Sequence, residues 1–292
     1  AYQFTISPGA VTRVDVKAVL FARRTVQRLG IAPMSSMFWF GENSRRRFDD
    51  FRPEVHDSDG LAIRTGTGER LWRPISNDTG KLEFSSFDME KCVGFGLLQR
   101  DRNFSSYEDG EAAYHLRPSL WIEPTSDWGP GRVMLMEIPA TNEYADNTVA
   151  MWEPARIPQA GDRIEFSYRQ EWTMDIDPSK SNGHVVATRT GVREGNPEQR
   201  MMAVEFVGIA LSQQNAEPLT PLVTATGAGA EKIKIQNVTV QAMPDARFRV
   251  AFQITPSEEG GKLADVGPVE LRCCLKRGEN FLTETWVHRV TP

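Results

Sequence analysis

Two short acidic segments hold the residues best suited to chemistry. In Phe51-Arg52-Pro53-Glu54-Val55-His56-Asp57-Ser58-Asp59-Gly60, three carboxylates, a histidine and an arginine lie around a proline and end on a glycine, so the segment reads as a shaped loop. In Glu137-Ile138-Pro139-Ala140-Thr141-Asn142-Glu143-Tyr144-Ala145-Asp146-Asn147, carboxylates again follow a proline in a stretch without strand alternation. Two such loops can supply the carboxyl pair of a glycosidase, one kept protonated as acid and one ionised as base. A solvated surface turn or a calcium loop fits the same residues. Six of the seven tryptophans (Trp39, Trp72, Trp121, Trp128, Trp152, Trp172) fall in this first part of the chain. Aromatic rings and planar charged groups suit the C–H faces and hydroxyls of sugars, with core burial as the competing reason for each ring.

Other chemistries find little support. There is no GxSxG elbow, no Walker A loop and no GxGxxG opening a helix, and Gly94-Phe95-Gly96 reads as strand. Cys92, Cys273 and Cys274 cannot all pair within the chain. The four histidines (His56, His115, His184, His288) are scattered, so no metal site and no cofactor is expected. With 34 Lys and Arg against 39 Asp and Glu, the net charge is −5, which argues against nucleic acid as a partner. The one basic cluster, Arg45-Arg46-Arg47, is followed by Asp49 and Asp50 and reads as a solvated loop. No apolar run approaches the roughly 18 residues needed to span a bilayer. The start, Ala1-Tyr2-Gln3-Phe4, has neither a basic nor an apolar signal region, so any export signal is expected to lie upstream or to have been removed.

The elements that must position these loops are strands. Ile164, Phe166, Tyr168, Trp172 and Met174 follow a period of two, as do Phe248, Val250, Phe252 and Ile254, and Val269, Leu271, Cys273 and Leu275. One helix is expected, Ala22 to Leu29, closed by Gly30. Asp175 to His184 is polar and carries Pro178 and Gly183, so residues 175–185 read as a linker. Strand patterns around Val204, Ile233, Val238, Val250, Leu271 and Trp286 suit an immunoglobulin-like sandwich over residues 186–292.

The segments APMSSMFWFGEN (Ala32–Asn43), FRPEVHDSDGL (Phe51–Leu61), LWRPISN (Leu71–Asn77), GFGLLQRDRNFSSYED (Gly94–Asp109), RPSLWIEP (Arg117–Pro124) and EIPATNEYADNTVAMW (Glu137–Trp152) resemble the periplasmic glucan biosynthesis protein G/D family (OpgG/OpgD, also called MdoG/MdoD). The match is long and ordered through about residue 174 and continues more weakly to the end. The resemblance implies an all-β chain: residues 1–174 as the C-terminal part of a large antiparallel β-sandwich, then the immunoglobulin-like domain. It also implies that an N-terminal portion of the family pattern lies outside this chain.

From the same resemblance follow a periplasmic location, a β-1,2-linked glucan as substrate and a possible link to the membrane glucan synthase. The family's D-type members act as inverting endo-β-1,2-glucanases. Asp146 takes the place of the family's general acid, and Asp57 that of its base, with Asp59 as a competitor or a neighbour that raises the pKa of Asp57. Arg52, His56, Asp59, Arg100, Tyr107, Glu137, Glu143 and Trp152 are expected to bind substrate. The alternative function is a non-catalytic glucan-binding scaffold that assists the synthase; an immunoglobulin-like adhesion module is a third reading and leaves the acidic loops without a purpose. Asp57 and Asp146 are expected in one groove, with Asp146 the more desolvated, and an exposed sheet edge is expected near residue 1.

Overall fold

The computed structural model describes residues 1–44, 48–77, 80–175, 177–178, 183–213 and 217–290. The Arg45-Arg46-Arg47 cluster and much of the expected linker lie outside the described residues.

The fold is nearly all β, as alternation implies. The chain separates into two compact units: Ala1–Gly41, Phe48–Arg70 and Ile75–Ser179 form the first, while Glu42–Arg47, Leu71–Pro74 and Lys180–Pro292 form the second. Two short excursions, at residues 42–47 and 71–74, thus join the second unit, which the sequence boundaries do not anticipate.

In the first unit, one antiparallel sheet runs in the order Tyr2–Ser7, Thr12–Phe21, Arg163–Thr173, Ser119–Pro124, Cys92–Leu98 and Gly60–Thr65. A second has the order Ile31–Ser36, Thr148–Pro154, Gly131–Glu137 and Glu83–Met89. Trp128 joins the two, with its ring 6.1 Å from that of Trp152 in one sheet and 6.0 Å from that of Tyr168 in the other. Gly96 lies opposite Trp121 in the register, and a Cβ there would run into the Leu120 carbonyl and the Trp121 ring. The glycines of Gly94-Phe95-Gly96 therefore serve strand packing.

Phe166 and Tyr168 point inward, but Trp172 and Met174 on the same strand pattern remain exposed. Strand Tyr2–Ser7 is exposed along its length, with Tyr2, Phe4 and Ile6 at 53, 58 and 66%. Tyr2–Ser7 is also the outermost strand of its sheet, paired on one side only, which is the exposed edge expected near residue 1.

No helix forms over Ala22–Leu29. Eight residues are too few for an isolated helix to be stable. Instead this backbone bonds to a distant loop: Ala22 N–H donates to the Asp162 carbonyl (2.9 Å) and Val26 N–H to that of Pro158 (3.0 Å). Among the described residues the α-helices are single turns, Phe104–Tyr107 and Ile209–Ser212.

In the second unit, Gly183–Arg193, Asn196–Gly208, Phe248–Pro256 and Ile233–Ala242 form one antiparallel sheet. Residues 71–74 pair in parallel with Thr285–Val290, which continues to Val269–Arg277 and Thr220–Thr226. The sheets face each other through Phe252 and Trp286, ring centroids 6.2 Å apart, and Trp286 Nε1 donates to Thr188 Oγ1 at 2.9 Å. Val250, Ile254, Leu271, Cys273 and Leu275 fill the space between, so the period-two pattern becomes the core of a sandwich.

Candidate active site

All the sequence-derived site residues lie in the first unit. A short ribbon, Phe38–Phe40 against Val55–His56, presents the first acidic loop, with Phe38 opposite His56. Met37, Phe40 and Val55 bury one side of it against Tyr107 and Tyr114. Asp57 leaves the ribbon with its N–H donating to the Met37 carbonyl at 2.8 Å. Its carboxyl is partly buried, and Oδ1 accepts no hydrogen bond from the protein, although Arg117 Nε stands 3.6 Å away. Burial pushes the Asp57 pKa above its ordinary 3.8; the charges of Arg117 and His56 oppose this and that of Asp146 adds to it.

Asp146 approaches the same backbone from the second loop. Its neighbour Asn147 accepts from Phe38 N–H (2.8 Å) and donates to the Phe38 and Ile138 carbonyls (2.8 and 3.0 Å). Ser35 Oγ then donates to Asp146 Oδ2 at 3.4 Å. Both carboxylates thus hang from residues 35–38, and Asp57 senses the charge of Asp146. The burial order is the reverse of the expected one. Asp146 is exposed, because it sits at the outer end of a loop whose anchor is Asn147, whereas Asp57 directly follows a buried strand.

Most of the expected substrate ligands are already engaged. Arg52 donates to Asp109 Oδ2 (2.7 Å), Glu143 Oε2 (2.9 Å) and Asp50 Oδ2 (2.8 Å), with its guanidinium over the Trp39 ring. Glu143 also accepts from the Tyr114 hydroxyl. Arg52 holds the pKa of Glu143 below its usual value, burial opposing and Tyr114 assisting. Arg52 and Glu143 therefore form a clamp between the two acidic loops rather than free sugar ligands.

Glu137 is buried and accepts from Ser76 N–H at 2.8 Å. Trp152 is core. Tyr107 is fully buried, its hydroxyl donating to the Asp101 carbonyl at 3.2 Å. Arg100 is also buried, and its N–H donates to Asp59 Oδ2. Asp59 accepts from Asp101 N–H as well, at 3.0 Å, and turns its other oxygen toward His56, so its carboxylate is fully committed.

The family model described as "Periplasmic glucan biosynthesis protein, MdoG" matches residues 1–290. The chain belongs to this family. It is 40% identical to the "Probable glucans biosynthesis protein D" of Shewanella oneidensis, covering the whole of this chain and 53% of that protein. It is 39% identical to the "Glucans biosynthesis protein G" of Bradyrhizobium diazoefficiens and 42% identical to that of Ralstonia nicotianae, over 55% and 58% of their lengths. The chain spans a little over half the length of these curated relatives, and it is about as similar to the D-named as to the G-named proteins.

Within this glucan biosynthesis family member, the sequence reading missed the residues that support the acids. Only through the fold does Ser35 reach Asp146 and Arg117 reach Asp57, while Gln99 holds His56 and Tyr114 holds Glu143. Arg117 and Gln99 stand in the recognisable segments but outside the acidic loops, so local acidity could not single them out. Glu54, His56 and Asp59 bring nitrogen and carboxylate oxygens within 4.8 Å of one another, close enough in principle for a cation. The hydrogen bonding instead places a proton there: His56 Nε2 faces Glu54 Oε2 at 2.8 Å and Asp59 Oδ1 at 3.6 Å.

Burial alone would lower the His56 pKa, but Glu54, Asp59 and Gln99 outweigh it and raise the value to about 9 from 6.5. A folded-state pKa above the unfolded one means that this contribution is complete below pH 6.5 and is lost as pH rises through about 9. A shift of that size corresponds to on the order of 3 kcal/mol. The urea midpoint should therefore fall between pH 6.5 and 9.5 in the native chain, and the fall should flatten in His56→Gln. An equal fall in both proteins would show that His56 is not its source.

Proposed function

We propose that this chain carries the hydrolytic centre of a periplasmic β-1,2-glucan hydrolase that works with inversion. The observation that carries the reading is the state of Asp57: a partly buried carboxylate whose Oδ1 accepts no hydrogen bond from the protein, beside a second carboxylate, Asp146, from a separate loop. Buried carboxylate oxygens ordinarily find donors, and Oδ1, enclosed and facing Arg117 Nε at 3.6 Å, lacks one in the free protein; the reading assigns that missing donor to the water that the base deprotonates. In this reading Asp57 takes a proton from water as the water oxygen bonds to the anomeric carbon. The glycosidic C–O bond breaks, and Asp146 gives its proton to the leaving oxygen. Asp59 is no base here, since His56 and two backbone N–H groups occupy it.

The test is incubation of the chain with linear β-1,2-glucan, following chain shortening and the anomer first released by proton NMR. Shortened products of inverted configuration support the reading. Binding without cleavage would leave the non-catalytic glucan scaffold, and a retained anomer would reject the assigned roles. Because Asp57 is held above 3.8, the acid limb of kcat/KM should lie above the ordinary aspartate range.

Sugar stacking falls to exposed rings rather than to the buried Tyr107 and Trp152. Tyr144 and Phe51 are 89% and 77% exposed, and they adjoin Glu143 and Arg52, which hold each other. Tyr144→Ala should raise KM about tenfold while changing kcat little, since stacking is made equally in ground and transition states. An unchanged KM would remove Tyr144 from the groove.

A further inference from the structure

His56 was expected to bind substrate, yet it is 1% exposed and cannot touch one. Its surroundings define a different task. The Gln99 side-chain amide donates through Nε2 to the His56 carbonyl (2.8 Å) and the Tyr114 carbonyl (3.2 Å). Two carbonyl acceptors fix which end of the amide is NH₂, so Gln99 Oε1, 3.0 Å from His56 Nδ1, can only accept. Nδ1 therefore carries a proton. Nε2 faces the carboxylates of Glu54 and Asp59, which also accept; the Asp59 oxygen turned away from the ring takes the N–H groups of Arg100 and Asp101, which, with the His56 charge, oppose the rise in its pKa that burial causes. Both ring nitrogens are donors, and the ring is an imidazolium. Phe38 stacks on the ring at 5.1 Å and Tyr107 meets it edge-on at 5.2 Å, so the ring is packed as well as hydrogen-bonded.

The same contacts reach Asp57. The peptide joining His56 to Asp57 is held on both sides: its carbonyl by Gln99 Nε2, its N–H by the Met37 carbonyl. Gln99 in turn is oriented by His56 Nδ1. We infer that His56 is a positioning residue for Asp57, an imidazolium locked by Glu54, Asp59 and Gln99 that fixes the peptide carrying Asp57 and sets a buried positive charge beside its carboxyl. This rests on reading Asp57 as the base. The charged and titratable groups facing Asp57 are Arg117 and Tyr114 around the turn at residues 114–117, Asp146 on the second acidic loop, and His56 on its own strand. Arg117 and His56 supply the positive charge. Arg117 is nearly half exposed and screened by water, which leaves the buried imidazolium as the steadier of the two.

Two measurements test this without requiring turnover. In the native chain, both ring nitrogens of His56 should show imidazolium ¹⁵N shifts at pH 7.5; a neutral ring at that pH overturns the inference. In His56→Gln, the carboxyl ¹³C titration of Asp57 should move up by about one pH unit, a tenfold change in its proton affinity. An unmoved midpoint overturns it as well. Should His56→Gln not fold, Glu54→Gln provides the same reading: loss of the nearer carboxylate should lower the pH at which the His56 ring titrates by a unit or more, and an unchanged ring titration rejects the clamp. With linear β-1,2-glucan, the acid limb of kcat/KM should follow the Asp57 titration. A native chain that turns over no glucan but shows the NMR behaviour would refute the hydrolase reading and leave the His56–Asp57 linkage standing.

Discussion

Asp146→Asn is expected to lower kcat on β-1,2-glucan by about 10³-fold, within the range that general acid catalysis contributes. Asparagine keeps the size of the side chain and can still accept from Ser35, so the loop anchored by Asn147 should hold its shape. What it cannot do is release a proton to the leaving oxygen. Glucan binding, measured by calorimetry, should stay within a few-fold of the native value. Asp57→Asn should cause a loss of similar size by a different route, leaving the attacking water without a base. The double variant should lose little more than either single one, because the two groups act in one concerted step. Retention of a tenth or more of native turnover in Asp146→Asn would remove the acid role from this residue. Separately, replacing the acids should scarcely alter stability: Asp146 is exposed, and Asp57→Asn removes a charge that burial already disfavours.

The two acidic loops and the strand-rich fold were legible in the sequence because both are local properties. Alternation at Val250, Phe252 and Ile254 reports which face is buried whatever lies opposite, and Pro139 marks a loop wherever the chain turns. Residue roles were far less legible. Arg52 and Glu143 look like ligands in a list of charged groups, and only the fold shows that they neutralise each other from 91 positions apart. His56 and Asp59 likewise look reactive until Gln99 and two backbone N–H groups are placed on them. The relative burial of Asp57 and Asp146 was misjudged because it depends on how far each stands from an anchored strand, which spacing alone does not encode. Ala22–Leu29 shows the same limit for local structure: a helical pattern of two turns gave way to hydrogen bonds with residues 158 and 162.

Arg52→Gln should destabilise the chain by about 3 kcal/mol, although Arg52 bonds no substrate in this reading. Its guanidinium spans three carboxylates, Asp50, Asp109 and Glu143, and the side chains involved are between 9 and 20% exposed, too dry for water to replace it fully. Removing it leaves three like charges facing one another. Arg52→Lys should recover only part of the loss, since an ammonium cannot bond three carboxylates in one plane. The pH dependence separates this mechanism from simple loss of packing. Asp109 and Glu143 have lowered pKa values in the folded chain, so the clamp's contribution is complete above their unfolded values and is lost as pH falls through the folded ones. Urea midpoints of native and Arg52→Gln chains should therefore differ most near pH 7 and converge toward pH 3. A gap that stays constant with pH, or one below about 0.5 kcal/mol at pH 7, would mean that the pairing adds nothing beyond a surface ion pair. Activity should fall together with stability. Glu143 lies on the loop that carries Asp146, and once Arg52 no longer ties that loop to the one bearing Asp57, the two carboxylates lose their fixed separation.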